Sequence, residues 1–112
     1  MKEIERKALS YLGLAVRARR AVIGVSLICE ALKKAKDGGR PQLVIEAAGT
    51  SPNTHKRIAD RTAYYQTPVV CLSLDGEALA TAVGKRGGTV GAVGVTDPNL
   101  AAAIAALYGI TL

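Results

Sequence analysis

The chain has 112 residues, of which 49% are hydrophobic, and its net charge at neutral pH is +6. This length and apolar content predict a single domain with its own core and exclude a disordered chain. The longest uncharged run, Pro98 to Leu112, is too short to span a bilayer, and the first residues lack the apolar run of a signal peptide. We therefore expect a cytoplasmic protein without a membrane partner.

The positive charge is concentrated in the first third of the chain. Residues 1–40 contain ten Lys or Arg and four Asp or Glu, a net of +6, whereas residues 41–112 contain five of each. A field of one sign on one part of a small domain attracts polyanions. The charge pattern favours a nucleic-acid partner over the alternative of a solvated basic face.

Helical and strand patterns alternate along the chain, which is typical of an α/β domain. Four polar residues are predicted to cap helices, namely Ser26, Ser51, Asp75 and Asp97. The helix after Ser26 is expected to bury Leu27. In chain order the predicted elements are a helix over 3–19, a short strand over 21–24, a helix over 27–36, a strand over 42–48, a helix from 52 to about 65, a strand over 68–74, a helix over 76–84, a strand over 89–95 and a helix over 98–109.

This order of elements predicts a central sheet with helices on both faces. Helical crossovers between strands make neighbouring strands mainly parallel, while the short first strand can add in either direction. The last helix, with the uncharged residues that follow it, must cover part of the sheet. Any apolar remainder would be a contact surface for a protein partner or for a homodimer.

Residues suited to catalysis or metal binding are scarce. His55 is the single histidine, and no orienting acid is evident beside it. Cys29 and Cys71 are predicted to be two buried free thiols, and no Cys-x-x-Cys or His-x-x-x-His spacing occurs. We expect no catalytic residue, no metal site and no cofactor. The glycine-rich stretch 84–94 fits neither the Walker pattern nor the dinucleotide fingerprint, and is interpreted as a flexible loop leading into a strand.

Three basic or amide-rich segments are predicted to meet at one end of the sheet. They are the helix end with Arg17, Arg19 and Arg20, the turn at Gly24 with the helix start that follows, and the loop from Lys85 to Val90. Backbone amides at a helix start suit a phosphate, and a basic cleft suits a folded RNA. The chain has no Phe or Trp and four Tyr, so a single-strand binder that stacks bases on aromatic rings is not favoured.

The sequence resembles a known family along nearly its whole length, in order and with matching spacing. That family is the ribosomal protein L-seven-Ae and L-thirty-e superfamily, in its bacterial YlxQ-like branch. The segments that carry the resemblance are Tyr11–Arg20, Ile23–Gly24, Leu43–Ala47, Ser51–Lys56, Tyr64–Val70, Leu79–Lys85 and Val93–Pro98. The resemblance implies a single-domain three-layer α-β-α sandwich with a four-stranded mixed sheet. It also implies a non-enzymatic, RNA-binding ribonucleoprotein component that recognises kink-turn or related structured RNA, with ribosomal RNA and translation as the setting.

The resemblance further implies which residues contact the RNA. In the family an Asn, a Glu and a Lys at the start of the second helix read sheared G·A pairs, and a hydrophobic loop before the last strand contacts the kink. The helix positions map here to Ser26, Leu27 and Glu30. The loop maps to Gly88, Thr89, Val90 and Gly91. Val25 and Lys33, which lie near the mapped helix positions, are also expected to contact the RNA. A protein-interaction module on the same fold, using the uncharged C-terminal helix, remains the alternative function.

Overall fold

The computed structural model describes residues 2–112, and within this range it contains five helices and four strands. Their bounds are α1 Glu3–Arg17, β1 Ala21–Ile23, α2 Val25–Ala31, β2 Leu43–Ala48, α3 Pro52–Tyr64, β3 Val69–Asp75, α4 Gly76–Ala82, β4 Ala92–Val95 and α5 Pro98–Leu107. The predicted order of elements is confirmed. The largest differences in length are in α2, which ends at Ala31, and in β4, which begins only at Ala92; each is three residues shorter than expected.

The four strands form one sheet in the order β1-β4-β2-β3. The pair β2–β3 is parallel, whereas β4 runs antiparallel to both β1 and β2. The mixed sheet implied by the resemblance is therefore confirmed, and the expectation of mainly parallel neighbours is wrong. The reason lies after α4, where residues 83–91 bring the chain back to the end of the sheet at which β3 finishes, so that β4 starts opposite Glu46.

Helices cover both faces of the sheet, and alternating side chains of β2 divide the core between them. Leu43 and Ile45 lie in a large cluster with residues of α1, α4 and α5. Val44 points to the other face, where Ile28 and Leu32 of the α2 region and Ile58 of α3 complete a smaller cluster. The result is the expected three-layer α-β-α sandwich.

Three of the four predicted helix caps are confirmed. The side chains of Ser51, Asp75 and Asp97 each accept a hydrogen bond from the amide three residues ahead, over 2.8–3.2 Å. The fourth, Ser26, is wrong. Gly24 is the N-cap of α2, with φ of 105°, and no side chain caps that helix. Glycine takes this backbone conformation without strain, so α2 begins before the serine is reached.

A buried carboxylate joins α1 to the outer strand β3. Glu5 is 4% exposed, and its oxygens accept hydrogen bonds from the Ser73 amide at 2.6 Å and from the Ser73 hydroxyl at 2.6 and 2.8 Å. These bonds from Ser73 hold the pKa of Glu5 below its ordinary value, against the opposing effect of burial. The bonds form because the first turn of α1 lies beside β3.

The C-terminal helix directs its large apolar side chains inward. Ile104 is buried, and Leu100, Leu107, Tyr108 and Ile110 are partly buried against the large core cluster. Leu112 is the large apolar side chain exposed in this part of the described chain. Separately, no helix within residues 2–112 combines the length and apolar character needed to cross a membrane.

Candidate nucleic-acid interface

A cavity of about 510 Å³ opens where β2 and β3 end and β4 begins. Four chain segments surround it because all of them enter or leave the same end of the sheet. The residues that line the cavity are Val25, Ala48, Gly49, Thr50, Ser51, Thr54, Asp75, Gly76, Glu77, Thr89 and Gly91. We call this end of the molecule the loop face.

The chain segments of the loop face lie so close together at Gly91 and Gly76 that little room is left there for a larger side chain. A Cβ atom added at Gly91 would lie 3.2 Å from Cγ2 of Val25, and one added at Gly76 would lie 3.2 Å from Cβ of Thr89. The Gly24 amide donates to the Ala92 carbonyl at 3.0 Å. The structure therefore brings the start of α2 and the segment before β4 into direct contact. These are two of the three segments that were predicted to meet at one end of the sheet.

The first turn of α2 presents its side chains to solvent beside this cavity. Ser26 is exposed, and Leu27 is 61% exposed, so the prediction that Leu27 is buried is wrong. Its burial was inferred from helical spacing, but the helix begins at Val25 and turns Leu27 outward. Glu30 and Lys33 are exposed and form an ion pair with an N–O distance of 3.4 Å.

The segment before β4 separates into an exposed part and a buried part. Lys85, Arg86, Gly88 and Thr89 are exposed. Val90 is 2% exposed and belongs to the large core cluster, with its amide donating to the Gly76 carbonyl at 2.9 Å. Val90 is therefore a core residue and does not offer an apolar surface to a ligand.

The third predicted part of the cleft, the basic end of α1, lies elsewhere. Arg20 enters β1 while Gly24 leaves it, so the two residues stand at opposite ends of that strand. Arg17 folds back along its own helix, where its guanidinium would be 3.4 Å from a Cβ at Gly13. Arg19 and Arg20 are exposed beyond the helix end. The prediction that all three parts meet at one end of the sheet is wrong.

A buried acid that the sequence analysis missed contacts Thr50 of the loop face. Glu46 of β2 is 3% exposed, and its Oε2 accepts a hydrogen bond from the Thr50 hydroxyl at 2.6 Å and lies 2.7 Å from Nδ1 of His55. The statement that His55 lacks an orienting acid is therefore wrong. The one available signal was an acid within an apolar strand. The cluster ties the first turn of α3 to the end of β2.

Cys71 lies beside Glu46 on the neighbouring strand and is exposed, whereas Cys29 is buried. The prediction of free thiols holds for both, but the prediction that both are buried is wrong for Cys71. Although the residue is exposed, partial desolvation of its sulfur, followed by the charge of Glu46, raises the pKa of the Cys71 thiol above its ordinary value. The thiol is therefore protonated at neutral pH and is a poor nucleophile.

The fold defines the class of protein. The helices, the mixed sheet and their order are consistent with the L-seven-Ae fold. A solved structure with this fold, an RNA-binding protein of 15.5 kD from Giardia lamblia, shares 16% identity with a TM-score of 0.76 over 97% of this chain and 88% of its own. At that identity the likeness is one of fold.

The particular family follows from closer relatives, although no family model matches the chain. The RNA-binding protein YlxQ of Bacillus subtilis is 34% identical over 90 residues, covering 80% of this chain and 83% of its own. YlxQ of Enterococcus faecium is 33% identical over 76 residues, or 68% of each chain. A structure from Bacillus halodurans, described as a protein of unknown function, is 32% identical with a TM-score of 0.80, covering 92% of this chain and 97% of its own. The chain belongs to the YlxQ family.

Proposed function

We propose that this protein binds structured RNA of the kink-turn type across the loop face, in a ribosomal or translational setting. The observation that carries the proposal is the contact between the start of α2 and the segment before β4, at Val25 and Gly91. These are the two places where the family resemblance puts the RNA. The RNA-binding proteins YlxQ among the relatives support the same class of ligand.

The apolar contact to the RNA is assigned to Leu27. Val90 is buried, whereas Leu27 stands 61% exposed on the first turn of α2. An unstacked base in a bent RNA offers a flat apolar surface, and proteins read such RNA by its shape and its splayed bases. Leu27 therefore takes the part that the resemblance gives to the loop, while the exposed hydroxyl of Ser26 supplies a hydrogen bond.

The charge needed for RNA binding comes from cations that flank the cavity. The cavity itself is lined by Asp75 and Glu77 and by no Lys or Arg. Lys85 and Arg86 are exposed and have no ion pair within residues 2–112. Phosphates accordingly lie outside the cavity, where these side chains reach them, and the cavity receives a base or sugar edge.

The test compares a kink-turn RNA, a plain duplex and a single strand of the same length by fluorescence anisotropy. We expect the kink-turn RNA to bind most tightly at 50 mM salt, with affinity falling steeply as salt rises. Leu27→Ala should lower the affinity about tenfold, as expected when a base loses its apolar contact. Leu14→Ala is the matched control, because Leu14 is 45% exposed on α1 and does not line the cavity. Equal affinity for all three RNAs would refute the proposal.

The alternative of a protein-interaction module receives no support from the C-terminal helix. Its large apolar side chains are turned to the core, so the expected apolar remainder is small. Ribosomal RNA as the ligand, a homodimer and a cytoplasmic location stay predictions.

A further inference from the structure

A second group of cations lies at the end of the sheet opposite the loop face. Arg20, Lys36 and Arg40 line a cavity of about 270 Å³ together with Gln42 and Thr96. These residues come from the α1–β1 turn, the segment between α2 and β2, and the end of β4. They meet because β1 begins at the same end of the sheet at which β4 finishes. We call this group of three cations the basic pole.

Arg40 is held in one orientation by its surroundings. Its Nε donates a hydrogen bond to the Lys34 carbonyl at 2.8 Å, and its guanidinium carbon lies 5.1 Å from the centre of the Tyr65 ring. Tyr65 is in turn braced edge-on by Tyr64, with ring centres 4.9 Å apart. The terminal nitrogens of a guanidinium fixed in this way form a fork that suits the paired oxygens of a phosphate.

The other two cations are anchored through their backbone and free at their side chains. The Arg20 carbonyl accepts from the Thr96 amide at 2.9 Å, and the Lys36 carbonyl accepts from the Gln42 side chain at 3.2 Å. Over the described residues 2–112, none of the three basic-pole side chains forms an ion pair. Asp37 also lines the cavity but neutralises none of them through such a contact.

The α1–β1 turn adds a further cation beside Arg20. Arg19 has a φ of 59°, in the left-handed region, at the point where α1 ends. Its amide donates to the Val16 carbonyl at 3.1 Å, and the Arg20 amide donates to the Ala15 carbonyl at 2.8 Å, which is a common way for a helix to end. The Arg19 side chain is exposed.

We propose that the basic pole is a second RNA contact, which grips the phosphate backbone of a duplex arm extending from the loop face. This inference rests on the proposed function for the identity of the polyanion. A protein interface would need an apolar centre depleted in charge, whereas the basic pole is dominated by charged and polar side chains. A continuous array of phosphates is the partner that several unpaired cations fit best.

The geometry fixes how long that arm must be. From Gln42, before β2, to Gly49, after it, the chain advances seven residues. At about 3.3 Å per residue this is roughly 23 Å. The arm must therefore continue for roughly 23 Å beyond the site at the loop face to reach the basic pole.

The experiment uses kink-turn RNAs whose arms are lengthened one at a time, titrated with the full-length protein. We expect the wild type to gain about tenfold in affinity, with a steeper salt slope, once one arm extends roughly 23 Å or more beyond the site at the loop face. Arg20→Gln combined with Lys36→Gln should abolish this gain, flatten the slope for long RNA by about two units and leave binding of the short RNA unchanged. Within residues 2–112 neither substituted side chain forms a hydrogen bond to another residue, so we expect the variant to fold as the wild type does.

The control removes the same charge elsewhere, by Lys2→Gln with Lys7→Gln at the exposed start of α1, and should retain the gain. Loss of the gain in both double variants would show a general charge effect and overturn the second contact. Absence of any length dependence in the wild type, with the short RNA still bound, would overturn it while leaving the proposed function intact. Failure of the wild type to bind either RNA would overturn both.

Discussion

Replacing Glu5 by Gln tests the link between α1 and β3 most directly. The carboxylate accepts hydrogen bonds from both the amide and the hydroxyl of Ser73, each at 2.6 Å at its shortest. A hydrogen bond to a charged group is worth about 1.5–3 kcal/mol, and Gln retains one acceptor oxygen while losing the charge. We expect the free energy of unfolding to fall by about 1–2 kcal/mol at pH 7, which lowers Tm by roughly 4–16 °C, at about 4–8 °C for each kcal/mol in a small domain.

The pH dependence of this loss has a definite sign. The hydroxyl and the amide of Ser73 hold the pKa of Glu5 below the ordinary value of 4.5. A carboxyl whose pKa is lower in the folded state contributes stability that is present above 4.5 and is lost as the pH falls through the folded pKa. The difference between wild type and Glu5→Gln should therefore shrink as the pH is lowered below that value.

Thermal unfolding followed by circular dichroism between pH 7 and pH 3 measures both effects. Glu3→Gln is the matched control, because Glu3 is exposed and forms only a surface ion pair with Arg6 at 3.4 Å. It should change stability by less than about 0.5 kcal/mol. A Glu5→Gln variant as stable as the wild type at pH 7, or a gap that persists unchanged at pH 3, would refute the reasoning.

Three further predictions concern RNA binding and backbone strain. Lys85→Ala with Arg86→Ala should flatten the salt slope of RNA binding by roughly two units and leave Tm nearly unchanged; an unchanged slope would place the phosphates elsewhere. Glu30→Lys should raise RNA affinity in a titration while lowering Tm slightly, because its exposed pair with Lys33 is lost; a drop in affinity would make Glu30 a recognition residue. Arg19→Gly and Gln66→Gly should each relieve a positive φ and raise stability by up to about 1 kcal/mol, and only Arg19→Gly should weaken binding of long RNA.

The sequence predicted well those features, such as helix caps, that depend on residues adjacent in the chain. Ser51, Asp75 and Asp97 are followed directly by helices, and each caps its helix as expected. Ser26 fails because a glycine two residues earlier already turns the chain into the helix. The general preference for serine as a helix cap takes no account of a glycine that can start the helix earlier.

The sequence patterns did not predict contacts between segments that are far apart in the chain. Helical crossovers suggested parallel strands, but the return of residues 83–91 reverses β4. The basic residues near α1 were expected at the loop face, yet three residues of β1 separate Arg20 from Gly24 and send the two to opposite ends. The pairing of Glu46 with His55 likewise depends on how α3 folds back on β2.

The bond between Glu5 and Ser73 also bears on how copies of this protein meet. The sheet has two outer strands, of which β1 has three residues and β3 has seven. A long outer strand with free amides can be extended by a strand from another molecule, and this is a common route to aggregation. Because Glu5 occupies the Ser73 amide, an incoming strand meets a buried negative charge in place of a donor. At Ser73 the longer outer strand therefore has no free amide to offer to a second copy.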